Sequence, residues 1–380
     1  MTLWIAALSF AIWAYCLLFR GGYWRAEVLG DKSLPPPDAW PHIVAVIPAR
    51  NEADAIGDSL TSLLIQDYPG RLSVIVVDDN SEDATASIAE SLPERTGSAV
   101  PLTVLKGQPL PDGWTGKLWA LEQGIAAATL EAPSHLLLTD ADIVYEPGAL
   151  RTLAARATSG RYVLTSLMAK LRCENLAERA FIPAFIYFFQ MLYPFAWVND
   201  PRNRMSAAAG GCMLLRADAL ARAGGIAVIR NALIDDCSLA AVMKRQGPIW
   251  LGLTHRVRSI RASVGLSDIH TMVSRSAYAQ LRYSPVLLAL TLIGMALTYW
   301  APPLIGLFGA GAAQGLALAA WALMAVSFWP ILRFYGLTPL WAPALPAIAT
   351  GYMAFTFSSA FQHMLGRGGR WKGRYQARKP

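Results

Sequence analysis

An α/β fold, with a Rossmann-like, mostly parallel sheet joined to α-helical transmembrane segments, is what this 380-residue sequence predicts. Three observations carry that expectation. Between His42 and Thr139, short apolar runs suited to buried strands alternate with segments of helical spacing. Several of those runs end in acidic residues, and in an open α/β sheet ligands gather beyond the carboxyl ends of the strands. Both ends of the chain hold stretches nearly free of charge and long enough to matter to a bilayer. With 54% hydrophobic and 16% charged residues, the composition is too apolar for an ordinary soluble enzyme.

Taken in order, residues 3 to 19 are uncharged and are followed by Arg20 and Arg25. A secretory signal would carry its positive charges before the apolar run. Here they follow it, so residues 1–22 read as a retained anchor with its carboxyl side in the cytoplasm. Pro35-Pro36-Pro37 stiffens a linker over 23–40. The first strand, His42 to Ile47, is closed by Pro48, and a helix from about Ala53 to Gln66 follows. Leu72 to Val77 forms the second strand and ends in Asp78 and Asp79, with Asn80-Ser81 expected to cap the next helix. Leu102 to Leu105 is the third strand, and a helix from about Thr115 to Ala128 leads to the fourth. That fourth strand, Leu136 to Thr139, runs straight into Asp140 and Asp142, with a helix expected near Pro147. Cys212 to Leu215 and Ile249 to Leu251 read as short later strands.

The aromatic segment from Phe181 to Val198, broken by Pro183 and Pro194, fits either a third buried layer or a segment in the membrane interface. Its tyrosines and Trp197 favour the interface. From Pro285 to Leu332 there is no Asp, Glu, Lys or Arg, which is room for two spans turning between Gly306 and Gly315. Residues 337 to 365 are again free of those residues, but Pro339, Pro343 and Pro346 point to a re-entrant or interfacial segment. The expected division is therefore anchor 1–22, linker 23–40, catalytic domain 41–284, apolar region 285–366 and basic tail 367–380. Arg367, Arg370, Lys372, Arg374, Arg378 and Lys379 supply most of the net charge of +7. Beside a membrane segment such a tail points to an anionic lipid surface on the cytoplasmic face, and not to nucleic acid. The four cysteines, Cys16, Cys173, Cys212 and Cys237, lack metal-site spacing and read as reduced.

The chemistry-bearing stretches follow the strands. Asp140-Ala-Asp142 at a strand end is a hard, oxygen-rich pair suited to Mg²⁺ or Mn²⁺ carrying a pyrophosphate, although acids in such a turn also cap helices. No GxGxxG follows the first strand, which removes the main support for a dinucleotide site. Asp78 or Asp79 can accept the imide hydrogen of uracil, and Glu52 can accept ribose hydroxyls; helix capping is the plainer alternative for the two aspartates. Lys117, at the start of a helix, can meet a diphosphate, or it can be a solvated surface lysine. Gly210 and Gly211 allow close backbone approach to a sugar, or merely make a bend. Asp235 and Asp236 open a helix, where one carboxylate facing the crevice can take a proton from an attacking hydroxyl.

Together PARNE, VVDDNS, GKLWAL, TDAD, GGCMLLR and IDD, over about residues 40 to 285, resemble the family 2 glycosyltransferases, inverting enzymes of the GT-A fold. More narrowly, the membrane layout, the LRY segment and the GGRWKGRYQ tail are similar to the hopene-associated glycosyltransferases of bacterial hopanoid clusters. The resemblance implies a nucleotide-sugar donor, UDP-linked, held by Pro48, Glu52, Asp78, Asp79, Lys117, Asp140 and Gly211. It implies a divalent metal on Asp140 and Asp142 and makes Asp236 the catalytic base. Asp235 stands where many members carry glutamate. Processive relatives carry QxxRW after the base; here Ala279-Gln-Leu-Arg282-Tyr283 has alanine at the glutamine place and Tyr283 at the tryptophan place. Arg282 and Tyr283 are thus placed on the acceptor side, and single-sugar transfer is favoured over polymer synthesis. The expected acceptor is a lipid, a hopanoid by the narrower resemblance, and the expected location is the bacterial inner membrane with a cytoplasmic catalytic domain. A competing class, a membrane nucleotide-sugar sensor or scaffold without turnover, would tolerate loss of the acids at 140, 142 and 236, all of which are present.

Overall fold

The computed structural model describes residues 1–366 and the backbone of a short strand pair, Arg370–Trp371 with Arg374–Tyr375. The cytoplasmic placement expected for the tail otherwise lies outside the described residues. The chain opens with helix α1, Thr2–Phe19. The α/β part then runs β1 (Ile43–Ala49), α2 (Ile56–Leu64), β2 (Leu72–Asp78), α3 (Thr85–Thr96), β3 (Leu102–Lys106), α4 (Gly116–Thr129), β4 (His135–Thr139), β5 (Ile143–Tyr145), α5 (Ala149–Ser159) and β6 (Leu164–Lys170). It continues through α6 (Leu176–Leu192), α7 (Phe195–Asn199), β7 (Cys212–Arg216), α8 (Ala217–Arg222), α9 (Asp235–Lys244), β8 (Ile249–Ser259) and α10 (Leu266–Gln280).

These strands form one eight-stranded sheet in the order β3-β2-β1-β4-β7-β6-β8-β5. β1 pairs in parallel with β2 and with β4, β2 with β3, and β6 with β8. β7 runs antiparallel between β4 and β6, and β5 antiparallel to β8, so the sheet is mixed but mostly parallel. Every residue of β1 and β2 is buried, which is why their sequences are nearly continuous apolar runs without alternation. Each fully buried Val, Leu or Ile contributes roughly 1.5–3 kcal/mol of transfer free energy. Apolar clusters cover both faces of the sheet, one with α2, α3 and α5, the other with α4, α6 and the apolar carboxyl-terminal helices.

Several boundaries differ from expectation. Asn80 and Ser81 do not cap a helix: Asn80 sits in the left-handed region at φ 54°, and α3 begins only at Thr85. The Asp78 carboxylate accepts the Ser81 N–H at 3.3 Å, so those residues make a turn that hugs the strand end. The helix expected from about Ala53 starts at Ile56, and the strand expected to stop at Leu251 continues to Ser259. β5 and β6 were not legible, because β5 is three residues long and Thr165-Ser166 interrupts the apolar run of β6.

The remaining helices are α11 (Pro285–Met295), which runs through a π-turn at Ala296–Trp300 into α12 (Ala301–Phe308), then α13 (Gly311–Phe334) and α14 (Leu345–Met364). Among the described residues, three helices are long and apolar enough to cross a membrane: Thr2–Phe19, Pro285–Phe308 and Gly311–Phe334. α14 is not among them. Its preceding prolines Pro339 and Pro343 shape a 3-10 turn, and α14 packs on α10 and α6, with the Tyr352 hydroxyl donating to Phe181 O at 2.7 Å. The aromatic segment is the pair α6–α7, and one face of α6, with Ile182, Pro183, Ala184, Ile186, Tyr187 and Gln190 buried, packs against α13, α14 and α10, the arrangement of a third layer. A buried chain of hydroxyls ties the parts together: Tyr187 meets Tyr23 at 3.0 Å and Ser327 of α13 at 2.6 Å.

Candidate active site

The site is assembled where β1, β2 and β4 end. α4 brings Lys117 there because it lies tight on the sheet: a Cβ at Gly124 would stand 2.4 Å from Val46 of β1 and 3.0 Å from Val77 of β2. Thr115 caps the helix by accepting the Leu118 N–H, which fixes Lys117 in its first turn. From there its ammonium lies 2.8 Å from Asp140, just past β4, and 3.1 Å from Asp235, which opens α9. Burial works against the lysine's charge, but Asp140 and Asp235 outweigh it and hold the ammonium well above its usual range. The same contacts act on the acids. Burial pushes Asp140 up despite Lys117, while at Asp235 the lysine overcomes burial and holds the carboxyl below its usual range.

Asp236 stands next to this bridge without a cation of its own. Its two oxygens accept the N–H groups of Cys237 at 2.7 Å and Gly210 at 3.1 Å, which fixes the carboxylate plane. Burial, and then the neighbouring Asp235 charge, push Asp236 up to about 6. A carboxylate held in that way is ionised near neutrality and basic enough to take a proton. Gly210 faces both groups: a Cβ there would lie 3.4 Å from the Lys117 nitrogen and 3.6 Å from Asp236. Gly211 instead lies against Ile143, and its carbonyl accepts the Thr139 hydroxyl at 2.7 Å.

A second bridge lies across the crevice. The Arg261 guanidinium donates to Glu52 at 2.7 Å and to Asp142 at 3.3 Å, and the Ser259 hydroxyl donates to the same Asp142 oxygen at 2.6 Å. Burial opposes the charge on Arg261, but Asp142 and Glu52 raise its pKa. The loop carrying Arg261 is itself pinned. Glu178 of α6, 1% exposed, accepts the Ser263 N–H at 3.0 Å as well as the N–H groups of Glu174 and Asn175. At the far end, Arg50 donates to Asp79 O at 2.6 Å and lies 3.9 Å from the Asp79 carboxylate. Pro48 is the penultimate residue of β1, opposite Val77.

The structure thus brings Lys117, Asp140, Asp235, Asp236 and Gly210 together, joins Glu52 to Asp142, and sets Asp78 and Asp79 at the adjoining strand end. Arg282 and Tyr283 are not joined to these acids by any hydrogen bond or ion pair among the described residues. Both take positive φ, 52° and 56°; Arg282 is exposed, and Tyr283 stacks on His363 with ring centroids 4.4 Å apart. Nearby, the exposed Gln280 donates to the Tyr193 hydroxyl at 2.8 Å. Sequence reading missed Arg261 and Ser259 because it ended β8 early. The signal was there: His255-Arg-Val-Arg-Ser259 alternates outward basic side chains with buried Val257 and Ser259.

No group of three or more His, Cys, Asp or Glu side chains that could hold a metal occurs among the described residues. The pair Asp140 and Asp142 still fits a divalent ion of the Mg²⁺ type, which takes one or two carboxylates and completes its shell with water and substrate phosphate. Lys117 engages one oxygen of Asp140, and Ser259 and Arg261 share one oxygen of Asp142, leaving the other oxygen of each without a hydrogen-bond partner among the described residues.

Comparison with known proteins agrees with this architecture. Residues 44–224 match the model of Glycosyl transferase family 2. An N-acetylglucosaminyltransferase of Mesorhizobium japonicum is 30% identical over 195 residues, 47% of this chain and 42% of that protein. A 4,4'-diaponeurosporenoate glycosyltransferase of Staphylococcus aureus is 35% identical over 123 residues, 32% of this chain and 28% of that protein. The chain therefore spans less than half the length of either curated relative. Among solved structures, the mannosyltransferase PcManGT from Pyrobaculum calidifontis, in complex with GDP-Man and Mn²⁺, superposes with a TM-score of 0.56 at 19% identity, covering 95% of this chain and 98% of that one. The fold is GT-A, and over residues 44–224 the chain is similar to family 2 glycosyltransferases.

Proposed function

We propose that the protein is a membrane-bound, inverting glycosyltransferase that moves one sugar from a nucleotide-sugar donor, UDP-linked, to a lipid acceptor on the cytoplasmic face of a bacterial inner membrane. The observation that carries the reading is the Lys117–Asp140–Asp235 bridge with Asp236 beside it, at the carboxyl ends of parallel strands. In this reading Glu52, Asp78 and Asp79 face the nucleoside, with Pro48 at the strand end, and Gly210, with Gly211 behind it against Ile143, lines the sugar side. Lys117 meets the diphosphate. Asp140 and Asp142 would hold the divalent ion, which when bound neutralises charge on the leaving group.

The reaction is a single displacement. Asp236 takes the proton of the acceptor hydroxyl as its oxygen bonds to the anomeric carbon. The bond from that carbon to the diphosphate oxygen breaks, its electron pair leaves with the nucleoside diphosphate, and the configuration inverts. Lys117 stabilises the negative charge that develops on the diphosphate. No covalent sugar–enzyme intermediate is required.

A lipid acceptor is supported by the three apolar helices and by the relative named for a carotenoid-type substrate, 4,4'-diaponeurosporenoate. The narrower likeness to hopene-associated enzymes rests on the membrane layout, the LRY segment and the tail, so a hopanoid is the first acceptor to try. The test is mass spectrometry of lipid extracts from cells with and without the gene. A sugar-bearing lipid that disappears with the gene, and returns with the wild type but not with Asp236→Asn, is the expected result; identical lipid profiles would reject the reading.

A further inference from the structure

Away from the acid cluster, a cavity of about 370 Å³ lies between the residues that follow α1 and the end of the α6–α7 pair. Gly21, Arg25 and Glu27 line one side; Gln190, Phe195 and Trp197 line the other. Its position is set by strong contacts. The Arg20 guanidinium donates to Met191 O at 2.7 Å and stands over the Trp197 ring, 5.7 Å from its centroid. Gly21 is in the left-handed region at φ +60°, and a Cβ there would lie 2.9 Å from both Pro194 and the Trp197 nitrogen, so the chain turns tightly against α7.

Two features of the cavity ask for a ligand. Gln190 is only 5% exposed and lines the cavity, yet its amide makes no hydrogen bond among the described residues. That amide is open to the cavity, where it offers a polar occupant both a donor and an acceptor. At the mouth, Arg25 and Glu27 are exposed, two residues apart, and neither forms an ion pair among the described residues. Charges of both signs over aromatic walls, at the end of an apolar helix of membrane-spanning length, match the water–bilayer boundary.

We infer that this cavity binds the zwitterionic headgroup of an aminophospholipid, with the phosphate at Arg25, the ammonium at Glu27 and the polar glycerol region at the Gln190 amide. An anionic headgroup without an amine would satisfy Arg25 but leave Glu27 repelled, and a trimethylated one would offer Glu27 no N–H donor. The inference rests on the proposed membrane attachment but not on sugar transfer. It makes the lipid a bound component of the fold where the anchor meets the catalytic domain, distinct from the acceptor at Asp236.

The test uses the full chain in nanodiscs of equal parts phosphatidylethanolamine, phosphatidylglycerol and phosphatidylcholine, released into detergent for native mass spectrometry. The expected result is a retained phosphatidylethanolamine, preferred by at least about threefold, the size of one exposed ion pair. Glu27→Gln should erase the preference for phosphatidylethanolamine over phosphatidylglycerol, and Gln190→Leu should lower retention of all three lipids. Because Arg25 and Glu27 are exposed, Arg25→Gln and Glu27→Gln leave the fold intact and decide the matter even if Gln190→Leu does not express. Soluble phosphoethanolamine should compete weakly, which separates a lipid site from a free-phosphate site. Equal retention of the three lipids by the wild type, or selectivity unchanged in Glu27→Gln, would overturn the inference. A protein recovered in the soluble fraction would instead refute the membrane attachment beneath it.

Discussion

Two bridges, each made of one cation and two carboxylates, stand on either side of the crevice and are built differently. Arg261 joins Glu52 to Asp142 with its planar fork, from a loop at the end of β8, and its side chain is 48% exposed. Lys117 joins Asp140 to Asp235 from the first turn of α4, with its side chain 19% exposed. A guanidinium fixes directions and a lysine ammonium acts as a point charge. The Arg261 bridge is thus suited to hold the nucleoside-side and metal-side carboxylates at a set spacing. The Lys117 bridge is suited to balance charge beside Asp236. The contrast is sharpest at Asp235 and Asp236, neighbours in the chain whose pKa values move in opposite directions because only Asp235 touches the lysine.

The largest effect should come from that pair. Side chains of adjacent residues leave a helix about 100° apart, so only one faces the acceptor. Asp236→Asn should lower transfer by about a hundredfold to ten-thousandfold while donor affinity, read by calorimetry on detergent-solubilised protein, stays near normal. Asp235→Asn should lose less. If Asp236→Asn keeps more than about a tenth of the rate, the base lies elsewhere.

Next comes the metal side. Asp142→Asn should cost at least about a hundredfold, and excess EDTA should abolish transfer. Full activity in the chelator would remove the metal from the site.

The bridges themselves can be told apart kinetically. Lys117→Met should act mainly on kcat, by about a hundredfold, since it removes a charge needed as the diphosphate departs. Arg261→Met should act mainly on KM, by about tenfold, and Arg261→Lys should rescue little, because a lysine cannot make the fork. The same kinetic pattern in both variants would dissolve the distinction drawn here.

A smaller effect concerns pH. Asp236 is raised to about 6, so kcat/KM should fall as pH drops through that value and level off above it. Stability runs the other way. A raised carboxyl contributes stability that is present below its unfolded value and lost as pH rises through the folded one. Asp236→Asn should therefore melt no lower than the wild type at neutral pH, whereas Asp235→Asn, which removes a lowered carboxyl and leaves Lys117 short of a partner, should melt lower. Thermal melts of the two variants side by side check this.

Least change is expected from the anchor. Deleting residues 1 to 22 should leave the protein in the membrane fraction, held by Pro285–Phe308 and Gly311–Phe334. Its appearance in the soluble fraction would show that these helices do not hold it.

The sequence by itself determined the alternation of strands and helices, the acids that end β2 and β4, and the uncharged helices at both ends of the chain. Those are local signals. A strand buried on both faces must be apolar along its whole length, and an apolar helix of spanning length shows in composition alone. The family resemblance likewise singled out Lys117, Asp140, Asp142 and Asp236 one by one, but no spacing rule joins position 117 to 235 or 52 to 261. Those pairings exist because strand order 3-2-1-4-7-6-8-5 carries the end of β8 and the start of α9 back to the edge where β1 and β4 stop. Tertiary structure alone decided that Asp235 and Asp236 differ. Their side chains are alike and adjacent, and only the position of Lys117, fixed by the close approach of Gly124 to Val46, gives one a cation and leaves the other raised.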